Sequence, residues 1–182
     1  LAYDEIFSTF LVHSEIRKKI KKNKKKNKVL NLEKQKQIIN KLSFILTNDQ
    51  LKSLGEINED LNSPNKMFRL LQGDVGCGKT IVSLLAAYNT VNSGFQVALM
   101  APTEILARQH FNLCKKIFSN ELNIALISGK SDNKEKKDIL SKLSKNKIDI
   151  IFGTHAIFQK KVIFENLGLI IIDEQHKFGV NQ

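Results

Sequence analysis

GDVGCGKT, at residues 73–80, decides the fold, because it matches the phosphate-binding pattern G-x-x-x-x-G-K-S/T. Its glycines let successive backbone N–H groups turn inward around phosphate oxygens, and the helix predicted from residue 79 adds its positive end. The apolar run MFRLLQ, at 67–72, precedes the loop and is predicted to be a buried strand. Strand, loop and helix in this order indicate a P-loop nucleotide-binding domain.

Strand and helix patterns alternate along the rest of the chain. Further strands are predicted at 96–101, 123–128, 148–153 and 167–173. Between them, helical patterns cover about 80–93, 103–118 and 132–145. The strands are apolar throughout, which is typical of a parallel sheet covered on both faces. The sequence therefore predicts an α/β fold, with a mostly parallel sheet covered by helices.

The segment before the loop reads as helical and basic. Apolar residues recur at helical spacing in 1–16, a second helical pattern runs over 32–43, and Thr47 is suited to cap a helix ending near 61. Between the first two patterns lies the run RKKIKKNKKKNK, at 17–28. The run either contacts the phosphate backbone of a nucleic acid or forms a solvated linker or charged helix face.

Composition limits the class of protein. The net charge is +11, hydrophobic residues make up 42% of the chain, and no apolar stretch approaches the roughly 20 residues that span a bilayer. No signal peptide is visible, so we expect a cytoplasmic protein with no membrane partner. The cysteines, Cys77 and Cys114, lack the spacing of a zinc site and are expected to be reduced.

A second chemical element is DEQH, at residues 173–176, which follows the last predicted strand. Lys79 is expected to bind the β- and γ-phosphates, and the Thr80 hydroxyl to ligate Mg²⁺. Asp173 would hold the same Mg²⁺, and Glu174 would accept a proton from the attacking water. The predicted cofactors are ATP and Mg²⁺, and the predicted catalytic residues are Lys79, Asp173 and Glu174.

These motifs together resemble those of superfamily 2 helicases, and within them the bacterial RecG family of branched-DNA helicases. The shared stretches are FxLTxxQ, GDVGCGKT, APTEILARQH, GTHAIF and DEQHKFGV. The family of transcription-repair coupling translocases is similar through GDVGxGKT and FGV, but it usually has DEEH and PTT where this chain has Gln175 and Glu104. The resemblance is strong over 44–182 and weak over 1–43, and it implies a RecA-like domain.

The resemblance also implies roles for single residues. Phe44 and Gln50 would contact adenine, although Gln50 alone reads equally as a helix-surface amide. The nucleotide-binding loop would consist of Gly73, Asp74, Val75, Gly76, Cys77, Gly78, Lys79 and Thr80. DNA would be bound by Pro102, Thr103, Glu104, Gly153, Thr154 and His155, of which Thr103 alone suits a helix cap and His155 alone a structural histidine. Gln175 and His176 would couple the ATP site to the DNA site.

Cys77 stands where RecG proteins usually have Ser, and its thiol is hypothesised to make the site sensitive to oxidation.

The domain organisation follows from the same resemblance. Residues 1–43 are expected to be a helical, Lys-rich linker from a missing wedge domain, and 44–182 the first RecA-like domain, truncated after DEQH. A second RecA-like domain supplies arginines that contribute on the order of 10³–10⁵ in rate in related NTPases. We therefore expect a fragment of a monomeric helicase for branched or forked DNA that binds ATP weakly and hydrolyses it negligibly. The alternatives are a transcription-repair coupling translocase and an inactive nucleotide- or DNA-binding remnant.

Overall fold

The protein folds around a four-stranded parallel sheet with helices on both faces. The computed structural model describes residues 25, 28–118, 121–129 and 132–174. The helices are α1 (Leu32–Lys41), α2 (Asn48–Asn62), α3 (Lys79–Asn92), α4 (Glu104–Phe118) and α5 (Asn133–Leu143). The strands are β1 (Gln96–Met100), β2 (Ile124–Ile127), β3 (Ile150–Gly153) and β4 (Leu167–Ile172), and a short 3₁₀ helix spans His155–Phe158. The predicted α/β fold class is confirmed.

The order of the strands is β2-β3-β1-β4, and every neighbouring pair is parallel. Val97 in β1 pairs with Ile150 in β3 on one side and with Leu169 in β4 on the other. Because all strands point the same way, the loops that follow them meet at one edge of the sheet. That carboxyl edge is where parallel α/β proteins bind their ligands.

Successive side chains of the strands enter two separate hydrophobic clusters, as the pleat requires. Leu99 and Phe152 face the cluster formed with α1 to α4, while Ala98 and Ile151 face the smaller one that includes Leu143 of α5. The buried strands therefore have apolar residues on both faces. The uninterrupted apolar runs in the sequence reflect this two-sided burial.

Helix α1 packs against the same core as α2 and α3. Its Ile38 is only 1% exposed and belongs to the larger cluster. The side-chain amides of Asn58 and Asn89 both donate to Gln35 Oε1, which links the three helices. Residues 1–43 are predicted to be a helical, Lys-rich linker, and within them α1 is helical and packs against the core. The helix predicted within 1–16 lies outside the described residues.

The strand predicted at 67–72 is wrong. This segment leads into the phosphate loop without joining the sheet, although Met67 and Leu71 pack against the core. Arg69 explains part of the difference, because its guanidinium donates to Asp60 at 2.6 Å and to Glu56 at 2.7 Å. These two carboxylates lie on α2, so the segment is held against a helix rather than against β4.

Two lysines of the basic run 17–28 are described, and both make contacts within the protein. Lys28 is buried, with its ammonium 4.9 Å from the centre of the Phe95 ring. Burial, together with the charge of Lys25, lowers the pKa of Lys28 to about 8. Lys25 Nζ donates to the carbonyl oxygen of Asp60. Since Phe95 directly precedes β1, Lys28 lies near the amino edge of the sheet, opposite the carboxyl edge.

Candidate nucleotide-binding site

The phosphate loop and the first residue of DEQH meet at the carboxyl edge of the sheet. Residues 93–95 alone connect α3 to β1, so the last turn of α3 lies beside the start of that strand. Helix α3, about 21 Å long, therefore runs back along the sheet and begins at the carboxyl edge. Asp173 directly follows β4 at this edge, and its N–H donates to Met100 O at the end of β1. The phosphate loop and Asp173 thus lie at the same edge.

Two glycines give the phosphate loop its shape. Gly76 and Gly78 have φ angles of 84° and 82°, in the left-handed region that other residues adopt at a cost. Gly78 is also the N-cap of α3, so the loop leads directly into the positive end of a 14-residue helix. The loop therefore presents a helix N-terminus of the kind that binds phosphate.

The ammonium of Lys79 lies across this loop. It donates to Gly73 O at 2.7 Å and to Asp74 O at 2.8 Å. Both acceptors are main-chain carbonyl oxygens of the loop itself. The structure thus places a positive charge against the main chain of the loop.

Gln50 joins the start of α2 to the phosphate loop. Its Oε1 accepts from Thr47 N and its backbone N–H donates to Thr47 Oγ1, which forms a capping box. Its Nε2 donates to Cys77 O at 2.9 Å. A Cβ on Gly78 would collide with the same amide, which would have to move aside. Both polar atoms of the Gln50 amide therefore have partners in the protein.

Phe44 lies close to this junction and is 47% exposed. It lines a cavity of about 500 Å³ together with Leu46 and Leu51, the residue after Gln50. The structure thus offers a mainly apolar recess that reaches the first turn of α2 at Leu51. A larger cavity, of about 620 Å³, lies along edge strand β2 and is lined by none of the predicted nucleotide-binding residues.

Asp173 is held by a residue that sequence analysis missed. His110 Nε2 lies 2.7 Å from Asp173 Oδ2, and the histidine is only 8% exposed. It sits on the buried face of α4 with Ala107, Cys114 and Phe118. A polar residue on that apolar stripe, at helical spacing, is the signal that could have revealed it.

The donors fit a magnesium ion. Thr80, the second residue of α3, offers a hydroxyl, and Asp173 offers a carboxylate; hard oxygen donors of this kind bind Mg²⁺. Among the described residues, no group of three or more His, Cys, Asp or Glu could hold a metal by itself. This sparse set suits Mg²⁺, which proteins usually bind through one or two carboxylates together with substrate phosphates. Glu174 follows with a φ of 51°, so the chain turns sharply after Asp173.

The residues predicted to bind DNA also lie at the carboxyl edge. Thr103 accepts from Leu106 N at 3.3 Å, as a helix cap does, and Glu104 begins α4 with a 3.5 Å ion pair to Arg108. On β3, a Cβ on Gly153 would lie 2.8 Å from Ile127 O. Glycine therefore permits β2 and β3 to approach closely just before Thr154. Gln175 and His176 lie outside the described residues.

Comparison with known proteins identifies the domain. The chain matches the family described as DEAD/DEAH box helicase over residues 35–182. The chain belongs to this helicase family. Membership of the family implies the use of ATP. None of the described helices is long and apolar enough to cross a membrane.

The relatives of this helicase domain include proteins named ATP-dependent DNA helicase RecG. The one from Staphylococcus epidermidis RP62A is 49% identical over 151 residues, which are 83% of this chain and 22% of that protein. The one from Staphylococcus aureus Mu50 is 48% identical over the same shares. The predicted resemblance to RecG is confirmed. The chain spans about a fifth of the length of these curated relatives.

Solved structures agree with this assignment of the helicase domain. A structure of RecG bound to a three-way DNA junction is similar with a TM-score of 0.88 and 43% identity, covering 97% of this chain and 24% of that one. The UvsW helicase from bacteriophage T4 has a TM-score of 0.56 and 21% identity. The second likeness shows the fold alone, and both match the RecA-like architecture that the sequence predicts.

The exposed thiol in the phosphate loop of this helicase domain leads to a testable prediction. Cys77 is exposed and its Sγ lies 3.8 Å from Lys79 Nζ, whereas Cys114 is buried and its pKa is raised to about 12 by burial. We expect N-ethylmaleimide to modify Cys77 alone and to block most nucleotide binding by filling the loop. Mass spectrometry of the modified chain and a fluorescent-ATP titration measure both effects.

Cys77→Ser is the matched control, since a hydroxyl is small and does not react with the reagent. The variant should bind nucleotide as the wild type does, before and after treatment. Unchanged binding by fully modified wild-type protein would contradict the prediction.

Proposed function

We propose that this chain is the ATP-binding motor domain of a RecG-type helicase, which uses ATP to act on branched or forked DNA. The observation that carries the proposal is the convergence at one sheet edge of the phosphate loop, Asp173 and the segments around Thr103 and Thr154. The similarity to RecG proteins supports the choice of DNA as the partner. ATP would thus be turned over, and DNA contacted, by loops that lie next to each other.

The nucleotide phosphates would lie in the loop 73–80, against the first turn of α3. Lys79 would exchange the carbonyl oxygens of Gly73 and Asp74 for β- and γ-phosphate oxygens. Both sets of acceptors carry negative charge density, and the phosphates carry more of it. The lysine thereby holds the main chain of the loop in shape and would stabilise the nucleotide once it binds.

Thr80 and Asp173 would hold Mg²⁺. The ion supplies charge neutralisation at the phosphates when it is bound. Asp173 uses Oδ2 for His110, which leaves Oδ1 for the ion or for a water on it. Glu174, at the positive-φ turn that follows Asp173, would take a proton from the attacking water.

The base would occupy the recess beside α2. Phe44 offers an exposed ring for stacking, and Gln50 offers an amide that can pair with the edge of adenine. Pairing requires the amide to give up its bonds to Thr47 N and Cys77 O. Binding of the base would therefore remove a hydrogen bond from Cys77 O in the phosphate loop.

The DNA backbone would contact Pro102, Thr103 and Glu104 after β1, together with Gly153, Thr154 and His155 after β3. The helix N-terminus at Thr103 favours phosphate, whereas the carboxylate of Glu104 opposes it unless Arg108 neutralises that charge. Gln175 and His176 would connect this surface to the ATP site.

The 182-residue chain alone should bind ATP but hydrolyse it negligibly. Related NTPases gain on the order of 10³–10⁵ in rate from an arginine that a second domain or partner supplies. The test combines a fluorescent-ATP titration with a phosphate-release assay, each with and without forked DNA. Failure to bind nucleotide would overturn the proposed function. Brisk DNA-stimulated hydrolysis would instead show that these residues need no second domain for turnover.

A further inference from the structure

We propose that His110 is a positioning residue for Asp173: its Nε2–H holds the carboxylate in the orientation that Mg²⁺ requires. The inference rests on the proposed function, because it assigns a role within the same site. It adds a residue from α4, outside the phosphate loop and DEQH, to the group that prepares the site for the metal. The contact spans 63 positions of sequence and has a distance of 2.7 Å.

The geometry sets the direction of the hydrogen bond. An ionised carboxylate only accepts, so Nε2 must carry the proton and donate to Oδ2. The side chain of His110 is 10% exposed, whereas that of Asp173 is 31% exposed. The histidine is therefore fixed by the core and the aspartate is the partner facing outward. A buried residue that orients a metal-coordinating side chain has this arrangement.

Asp173 has little else to orient it. Its backbone N–H is bonded to Met100 O, but β4 ends one residue before it and the chain turns at Glu174. Rotation about the two side-chain torsions of an aspartate would move both oxygens. The bond to His110 fixes Oδ2 and thereby the position of Oδ1.

The imidazole is itself firmly placed. It lies on the buried stripe of α4 between Ala107 and Cys114, which are 1% and 0% exposed. Its helix packs on β2 and β3 rather than on β4. The position of Oδ2 is thus set by a helix packed on β2 and β3 as well as by the strand that carries Asp173. Loss of such a partner of a metal ligand typically costs about 10- to 100-fold in metal affinity.

The test compares His110→Gln, His110→Leu and His110→Asn in the 182-residue chain. Fluorescent-ATP binding is titrated with Mg²⁺, and binding in EDTA is measured as the metal-free reference. The Gln amide reaches as far as Nε2 and should keep the Mg²⁺ midpoint within about threefold of wild type. Leu lacks a donor and Asn falls short, so both should raise the midpoint by about 10- to 100-fold with little change in EDTA.

Two further measurements separate positioning from general support of the fold. Thermal unfolding without nucleotide reports whether each variant is folded. If His110→Leu does not fold, His110→Asn takes its place as the variant without a donor to Asp173. In an Asp173→Ala background, His110→Leu should have no further effect on the Mg²⁺ midpoint, because it acts through the missing carboxylate.

The outcomes are distinct. An unchanged Mg²⁺ midpoint in folded His110→Leu or His110→Asn overturns the inference alone. Equal losses with Mg²⁺ and in EDTA do so as well, because they indicate a structural role. A wild-type chain without nucleotide binding overturns the proposed function, and this inference with it.

Discussion

Replacing Lys79 by alanine is expected to lower the affinity of the chain for ATP by about 10- to 100-fold. A hydrogen bond to a charged group contributes about 1.5–3 kcal/mol, and each 1.4 kcal/mol is about tenfold in affinity. Lys79 donates to the main-chain oxygens of Gly73 and Asp74 and, at 3.8 Å, to Cys77 Sγ, all at exposed residues, so water can replace it there. The thermal stability should therefore change little. A fluorescent-ATP titration beside a thermal melt measures both.

Lys142→Ala is the matched control for this substitution. Lys142 is exposed and pairs with Asp138 on the same face of α5, away from the phosphate loop. The Lys142→Ala substitution removes the same charge from the chain but should leave nucleotide affinity unchanged. Equal affinities of the Lys79 and Lys142 variants would rule out the assigned role of Lys79.

Replacing Gln96 by leucine is expected to cost about 3–5 kcal/mol of unfolding free energy, the largest loss of stability that we expect from one polar residue. Gln96 is 1% exposed, and its Nε2 donates to both Leu143 O and Ile148 O at 2.9 Å. Its Oε1 accepts from Asn166 N at 3.1 Å. Leucine fills similar space but removes a partner from three main-chain groups. Leu143 O still accepts from Asn146 N, whereas Ile148 O and the half-buried Asn166 N lose about 1–3 kcal/mol each before relaxation.

Urea unfolding followed by circular dichroism measures the loss. Gln159→Leu is the control, since Gln159 is exposed and the same substitution there should change stability by less than about 0.5 kcal/mol. A loss below about 1 kcal/mol for Gln96→Leu would mean that water or side-chain movement satisfies the three groups.

Several elements of this fold are readable from short stretches of sequence. Thr47 and Gln50 stand three residues apart at the start of α2, which is the spacing of a capping box, and the structure forms both of its hydrogen bonds. The runs at 96–101 and 148–153 became β1 and β3, and the phosphate loop leads into α3 as predicted. These features depend on neighbouring residues, whose contacts any correct fold preserves.

Other features depend on contacts that no local pattern contains. MFRLLQ has the composition of a strand, but Arg69 draws it toward two carboxylates on α2. Gln50 reads as a surface amide or an adenine contact, while in the structure its Nε2 meets Cys77 O, 27 residues away. The roles assigned to these residues in binding ATP and DNA remain predictions.

By itself, the sequence determined the α/β class, the phosphate loop and the helicase motifs, because hydrophobic periodicity, glycine placement and capping act over a few residues. Only the tertiary structure decided which side chains meet at the carboxyl edge. The parallel order β2-β3-β1-β4 brings the ends of distant strands together, and the packing of α4 on the sheet turns His110 toward Asp173. Such meetings depend on strand order and helix packing, which are set by the whole core and not by any one segment.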